Sequence, residues 1–301
     1  MRIGRMMGAG GPETLDDLVA QAQAAEAAGF SSVWLANIFG FDAIGALGIV
    51  GRETKRVELG TAVVPTYPRH PVTMAQQALT TQAASGGRFV LGLGLSHQIV
   101  IETVLGLSYS RRASHMREYL EVIEPLLRGE PVSFSGDEYQ VQAALQVPGA
   151  EPVPVLIAAL GPAMLKLAGT RTAGTITWMT GPKTLEAHTV PGLAGAAEAA
   201  GRPAPRIVAG LPIALTSDAA AAREIAAKAF EIYGGLPSYR AMLDREGAAG
   251  PADVAIVGDE AELDRQLSQL EEIGVTDFLA APFPADAGAV DRTLAFLAAR
   301  S

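Results

Sequence analysis

The stretch "PVPVLIAALGPAMLKLAG" (152–169) decides the reading of the fold. Its first half is apolar and rich in branched residues, as in a strand buried on both faces. Its second half sets Met164, Leu165, Leu167 and Ala168 at helical spacing behind a Gly161-Pro162 step. Proline suits the first helical position, where an N–H would lack a partner anyway. The N–H groups of Ala163 and Met164 are then left without intrahelical acceptors. Taken locally, Gly-Pro is simply a common strand-to-helix turn, so the weight lies in how often the unit recurs.

It recurs along the whole chain. Strands are expected at "RIGRM" (2–6), "SSVWLA" (31–36), "RVELGTAVV" (56–64), "RFVLGLGL" (88–95), "PVPVLIAA" (152–159), "GTITWM" (174–179), "RIVAGLPIAL" (206–215) and "TDFLAA" (276–281). Helical periodicity fills the gaps. The first helix has a capping box in Thr14 and Asp17, a face of Leu15, Leu18, Val19 and Ala22, and a stop at Gly29. Others are expected over 114–127, with Met116, Leu120, Ile123 and Leu127 on one side, and over 288–300. Eight strand–helix units predict a (β/α)8 TIM barrel in the α/β class, with a doubly wound sheet as the structural alternative. The barrel forms a single domain over 1–301. Two insertions interrupt it: a hairpin at 129–151, after strand four, and a helical layer at 217–250, after strand seven.

Composition narrows the function. Of 301 residues 49% are hydrophobic and 18% charged, which permits a large core. A net charge of −9, with no basic cluster beyond Arg111-Arg112, argues against a nucleic-acid partner. No run approaches the ~20 apolar residues of a membrane span. The start "MRIGRMMGAGG" lacks a secretory apolar core, and there is no cysteine. A cytoplasmic location is the expectation. The ends of the barrel strands, where such folds build active sites, show no carboxylate pair, no metal-spaced His/Asp cluster and no lysine. Only His97 among the four histidines falls at a strand end. An apolar mouth of this kind suits a cofactor that carries its own reactivity.

Several separated segments carry a resemblance: "GFSSVWLAN", "ELGTAVVPTYPRHPVTMAQQALTTQAASGGRFVLGLGLSH", "REYLEVIEPLLRGEPV" and "PVPVLIAALGPAMLKLAGTRTAGTITWMTG". In order and spacing they resemble the luciferase-like (bacterial luciferase-type) superfamily, and within it the coenzyme F420-dependent oxidoreductases. The resemblance runs from residue 1 to about 280. It implies a deazaflavin, coenzyme F420, or alternatively FMN, held at the barrel mouth. It places a non-prolyl cis peptide behind the ring at Ala62-Val63. It assigns a phosphate cradle to Leu160, Gly161, Pro162, Ala163 and Met164, the anion resting on a helix N-terminus, with Ala159 just before it among the cofactor-binding residues. Trp178, Thr180 and Gly181 fall along the cofactor's side chain or ring edge, with Asn37 and His97 nearby. A homodimer and a small-molecule substrate are further implications.

The chain departs from the pattern at two strand ends. Asn37-Ile38 stands where many deazaflavin members carry Asp-His, and Ser96-His97 where some carry a glutamate. Both departures argue against sugar-phosphate dehydrogenase chemistry. His97 is the candidate acid/base, its ordinary pKa suiting proton transfer near neutrality, with a plain hydrogen-bonding role as the alternative. Asn37 could bond the ring edge or cap the turn after strand two. Arg69 and His70 are expected to anchor their loop to backbone carbonyls, and Glu118 to sit in an internal ion pair. Tyr109 could face the substrate or the surface. Tyr233, Leu236, Tyr239 and Met242 could roof the pocket or pack their own helix. The resulting expectation is a reductase transferring hydride from reduced F420 to a C=C or C=N bond. An FMN-dependent monooxygenase fed by a separate flavin reductase is the rival, and a non-catalytic flavin-binding relative the third reading.

Overall fold

The computed structural model describes residues 1–8 and 13–301. Eight parallel strands close on themselves: β1 (Arg2–Met7), β2 (Ser32–Leu35), β3 (Glu58–Thr61), β5 (Phe89–Gly94), β8 (Val155–Ile157), β9 (Gly174–Trp178), β10 (Arg206–Leu215) and β12 (Asp277–Pro282). Each pairs with the next in that order, and β12 returns to β1. The expected TIM barrel is the fold. The third barrel strand is broken: after β3 the chain makes a cis peptide at Ala62–Val63 and resumes as β4 (Val64–Pro65), paired with β5.

Helices α1 (Leu15–Ala27), α2 (Ala43–Glu53), α3 (Pro71–Ser85), α4 (Arg112–Leu127) and α5 (Pro162–Arg171) follow the first five barrel strands in turn. The single turn α6 (Pro182–Thr184) and α7 (Val190–Ala199) follow β9. α1 begins where the capping box places it, Asp17 N–H donating to Thr14 Oγ1 at 3.2 Å and Thr14 N–H to Asp17 Oδ2 at 2.8 Å. The hairpin after strand four is β6 (Val132–Ser135) with β7 (Gln140–Ala143). Glu118 holds it. Its buried carboxylate accepts the N–H of Asp137 at 3.3 Å and of Glu138 at 2.8 Å, and it also makes the expected ion pair, with Arg117 at 3.5 Å.

The layer after β10 contains α8 (Ala219–Ala229), α9 (Glu231–Gly235) and α10 (Pro237–Glu246). It ends in a strand that periodicity missed, β11 (Ile256–Gly258), which pairs with Ile213–Leu215 at the far end of β10. Three residues are too few to show a period. The chain then finishes with α11 (Glu260–Glu272), β12 and α12 (Ala289–Arg300).

The barrel interior explains where a site can form. One buried layer holds Trp34, Val90, Leu156, Ile176, Val208 and Leu279, from β2, β5, β8, β9, β10 and β12. The two remaining strands contribute glycine. A Cβ on Gly60 would lie 2.1 Å from Trp34 Cε3, and one on Gly4 would lie 2.9 Å from Trp34 Nε1. The indole therefore lies across β1 and β3 and fills the volume both leave. Two residues further along, on the same face, six of the eight strands carry small side chains, Ala36, Ala62, Gly92, Ala158, Gly210 and Ala281, while β1 and β9 carry Met6 and Trp178. Large residues make a floor and small ones leave space above it, toward the C-terminal mouth.

Candidate cofactor and substrate site

That space is a pocket lined by Met6, Ala62, Val63, Ala158, Leu160, Ile176, Thr177, Trp178, Leu279 and, from α10, Tyr239. No charged side chain is among them. Val63 leans over β5, where a Cβ on Gly94 would come within 2.4 Å of Val63 Cγ2. Glycine on β5 thus makes room for the bulged third strand. Tyr239 closes the top: its ring centre lies 5.4 Å from that of His97 and 5.4 Å from that of Tyr233, which stands 5.8 Å from Trp178. The roof expectation holds for Tyr239, whereas Met242 is buried.

Polar groups at the pocket are left without well-formed bonds. Trp178 Nε1 and Thr177 Oγ1 are buried with no acceptor or donor at hydrogen-bonding geometry among the described residues, the Tyr233 ring standing nearest the indole at 5.8 Å. At the start of α5, Gly161 is the N-cap with extended geometry, Pro162 is the first helical residue, and no side chain caps the turn. The first helical bond runs from Leu165 N–H to Gly161 O at 3.0 Å. Among the described residues, nothing accepts from the N–H groups of Gly161, Ala163 or Met164. Three unpaired amides and the helix dipole point the same way, an arrangement able to accept an anion. His188, which sequence reasoning passed over, touches it: His188 Nε2 lies 2.8 Å from Leu160 O. In a trans peptide C=O and N–H point oppositely. Donation from His188 thus turns the Gly161 N–H outward. Replacing His188 by Ala should weaken binding of a phosphate-bearing cofactor about tenfold, the worth of one charge-assisted hydrogen bond. His188→Gln, which keeps a donor near Nε2, should restore most of it in a titration.

The remaining candidates divide. Ala62, Val63, Leu160 and Trp178 line the pocket. Ala159 is buried with its N–H on Thr175 Oγ1, and its neighbour Ala158 takes the lining position by strand alternation. Thr180 and Gly181 are buried and lie outside the lining; a Cβ on Gly181 would meet the Glu246 carboxylate at 2.4 Å. That carboxylate caps α6 by accepting from Lys183 and Thr184 N–H. Asn37 caps its turn, Oδ1 accepting from Ala43 N–H at 3.0 Å and from Arg69 at 3.3 Å. Arg69 pairs with Asp42, and His70 Nδ1 accepts from Val72 N–H, so neither side chain holds carbonyls as expected. Tyr109 donates to Ser96 O at 2.7 Å and ties the far end of the loop after β5. His97 is half-buried against Tyr239, and burial lowers its pKa below the ordinary value. It is neutral at pH 7, more a base than a cationic acid.

Residues 1–279 match the family described as luciferase-like monooxygenase. The chain belongs to the luciferase-like monooxygenase family. Among curated proteins it is similar to the F420-dependent glucose-6-phosphate dehydrogenase of Nakamurella multipartita, 37% identical over 64% of this chain and 60% of that one. It is also similar to the 5,10-methylenetetrahydromethanopterin reductase of Methanolobus tindarius, 32% identical over 60% of this chain and 55% of that one. The matched region spans 41% to 60% of the length of the first such relatives. Among solved structures, the coenzyme F420-dependent tetrahydromethanopterin reductase of Methanopyrus kandleri superposes with a TM-score of 0.82, covering 99% of this chain and 97% of that one at 22% identity. That likeness shares the luciferase-like barrel from end to end. Among the described residues no helix is long and apolar enough to cross a membrane.

Proposed function

We propose that this chain is a coenzyme F420-dependent oxidoreductase working as a reductase on a C=C or C=N bond of a small organic substrate. The observation that carries the reading is the uncapped start of α5, three unpaired amides beside an apolar pocket with no charged lining. The residues fit the group. Leu160 to Met164 would take its phosphate, Ala62 and Val63 would back the ring, and the orphaned Trp178 Nε1 would donate to an oxygen at the ring edge or on the substrate. When bound, the deazaflavin supplies the hydride chemistry. The chain's own groups then orient, exclude water and manage the proton. Tyr239 shields the pocket from above, and burial raises its pKa, so its hydroxyl keeps its proton. Neutral His97 beside it can accept a proton or pass one on.

A fluorescence titration with F420 and, separately, with FMN tests the reading. Tight binding of F420, lost with its phosphate-free analogue, is the expected result. Preference for FMN would put the monooxygenase reading first. Binding of neither would overturn the assignment.

A further inference from the structure

The mouth of the pocket is apolar well beyond the pocket itself. Seven of the ten large hydrophobic side chains that the described chain exposes fall in two loops, the one after β2 and the one after β5. Ile38 and Phe39 are 65% and 69% exposed, and Ile99 and Val104 are 62% and 58% exposed. Scattered surface hydrophobics need no explanation, but a concentration of them marks a binding surface. Both loops start at the pocket wall. Asn37 N–H donates to Val63 O at 3.4 Å, and the ring of His97 packs on Tyr239. Both loops therefore leave from the edge of the pocket, so a molecule seated in it can extend over them.

Charge points the same way. Of the cations near these loops, Arg69 pairs with Asp42 and Arg111 with Asp137, while Arg112 lies over the Tyr109 ring at 5.6 Å without an acidic partner among the described residues. A phosphate or carboxylate on the substrate would meet no cation in the pocket lining itself. The polar groups at the pocket, the Trp178 N–H and the hydroxyls of Thr177 and Tyr239, with His97 beside Tyr239, suit an uncharged oxygen or nitrogen.

We infer that the substrate is an uncharged molecule whose reacting carbon sits in the pocket and whose extended apolar chain lies along the rim of Ile38, Phe39, Phe41, Ile99 and Val104. The position of the reacting carbon rests on the cofactor reading above; the apolar rim does not. The probe is a series of straight-chain α,β-unsaturated methyl ketones from butenone to dodecenone, read by tryptophan fluorescence with and without F420. Of the two tryptophans, Trp178 lines the pocket and Trp34 lies in the floor beneath it, so both report occupancy. Affinity should rise about threefold per added methylene while the chain covers the rim. The rise should flatten in a variant carrying both Phe39→Ser and Val104→Ser. A rise without F420 supports the rim even where cofactor binding fails, which separates the two readings. A flat series overturns the inference, as does glucose 6-phosphate binding as tightly as decenone. A flat series together with a dimer that the double variant dissociates would assign the rim to a second copy instead.

Discussion

Replacing Gly161 by Asp should cost at least about 100-fold in affinity for a phosphate-bearing deazaflavin while leaving the melting temperature unchanged or slightly raised. The two halves of that result have separate causes. Gly161 has φ −89°, which any residue adopts, and an added Cβ meets nothing within 4 Å. Aspartate is also among the best N-cap residues, so α5 gains the side-chain cap it lacks. The same carboxylate would occupy the amides and place a negative charge against the phosphate. Two charges ~4 Å apart repel by about 4 kcal/mol at an effective dielectric of 20, and partial exposure of the turn reduces this to about 100-fold in binding. Gly161→Asn separates the terms, since it caps without charge and should lose much less. Equal affinity in Gly161→Asp and wild type would move the phosphate elsewhere.

The second large effect lies in the barrel floor. Gly60→Ala should destabilise the protein by about 3 kcal/mol in urea unfolding, at the upper end for overpacking. The new methyl would fall 2.1 Å from Trp34 Cε3, and the indole has nowhere to go. It is fully buried against Val90, Leu156, Ile176, Val208 and Leu279, its Nε1 bonds Ser32 Oγ at 2.8 Å, and Arg206 lies 5.5 Å from its ring. Replacing Trp34 by Leu removes the obstacle, so Gly60→Ala in that background should cost under about 1 kcal/mol, a coupling read from a double-mutant cycle. Additive costs would show that the clash is relieved elsewhere.

What the sequence showed depended on how local the cause was. Thr14 with Asp17 and Gly161 with Pro162 act within a few residues, and both helix starts appear where expected. Eight apolar runs alternating with helical ones specify a parallel sheet because each run must be buried on both faces, and their number and even spacing favour its closure. The Trp34–Gly60 fit depends on register between strands, which pairs those two residues directly. No local pattern announces that. The broken third strand reads as continuous in "GTAVV" because neither Ala62 nor Val63 carries a turn signal. At the site, Leu160 and Trp178 were reachable as strand ends. His188 and Tyr239 come from helical segments whose own periodicity looks ordinary, and only the fold carries them to the cradle and the pocket. Thr180 and Gly181 follow a strand as binding residues often do, yet both are buried, Gly181 beneath Glu246 of α10 and Thr180 with its hydroxyl turned to Trp178 O.

The segment that supplies Tyr239 leaves the barrel at Leu215 and comes back at Ile256, and its two ends are neighbours: Leu215 pairs with Gly258 in parallel register. Adjacent strands lie about 4.8 Å apart, so the excursion closes on itself, and its two ends stay in place whatever runs between them. Its side chains nevertheless reach back, Tyr239 over the pocket and Glu246 onto the turn after β9. Re-cutting this one stretch between two fixed stitches would therefore re-roof the pocket while the eight strands keep their register.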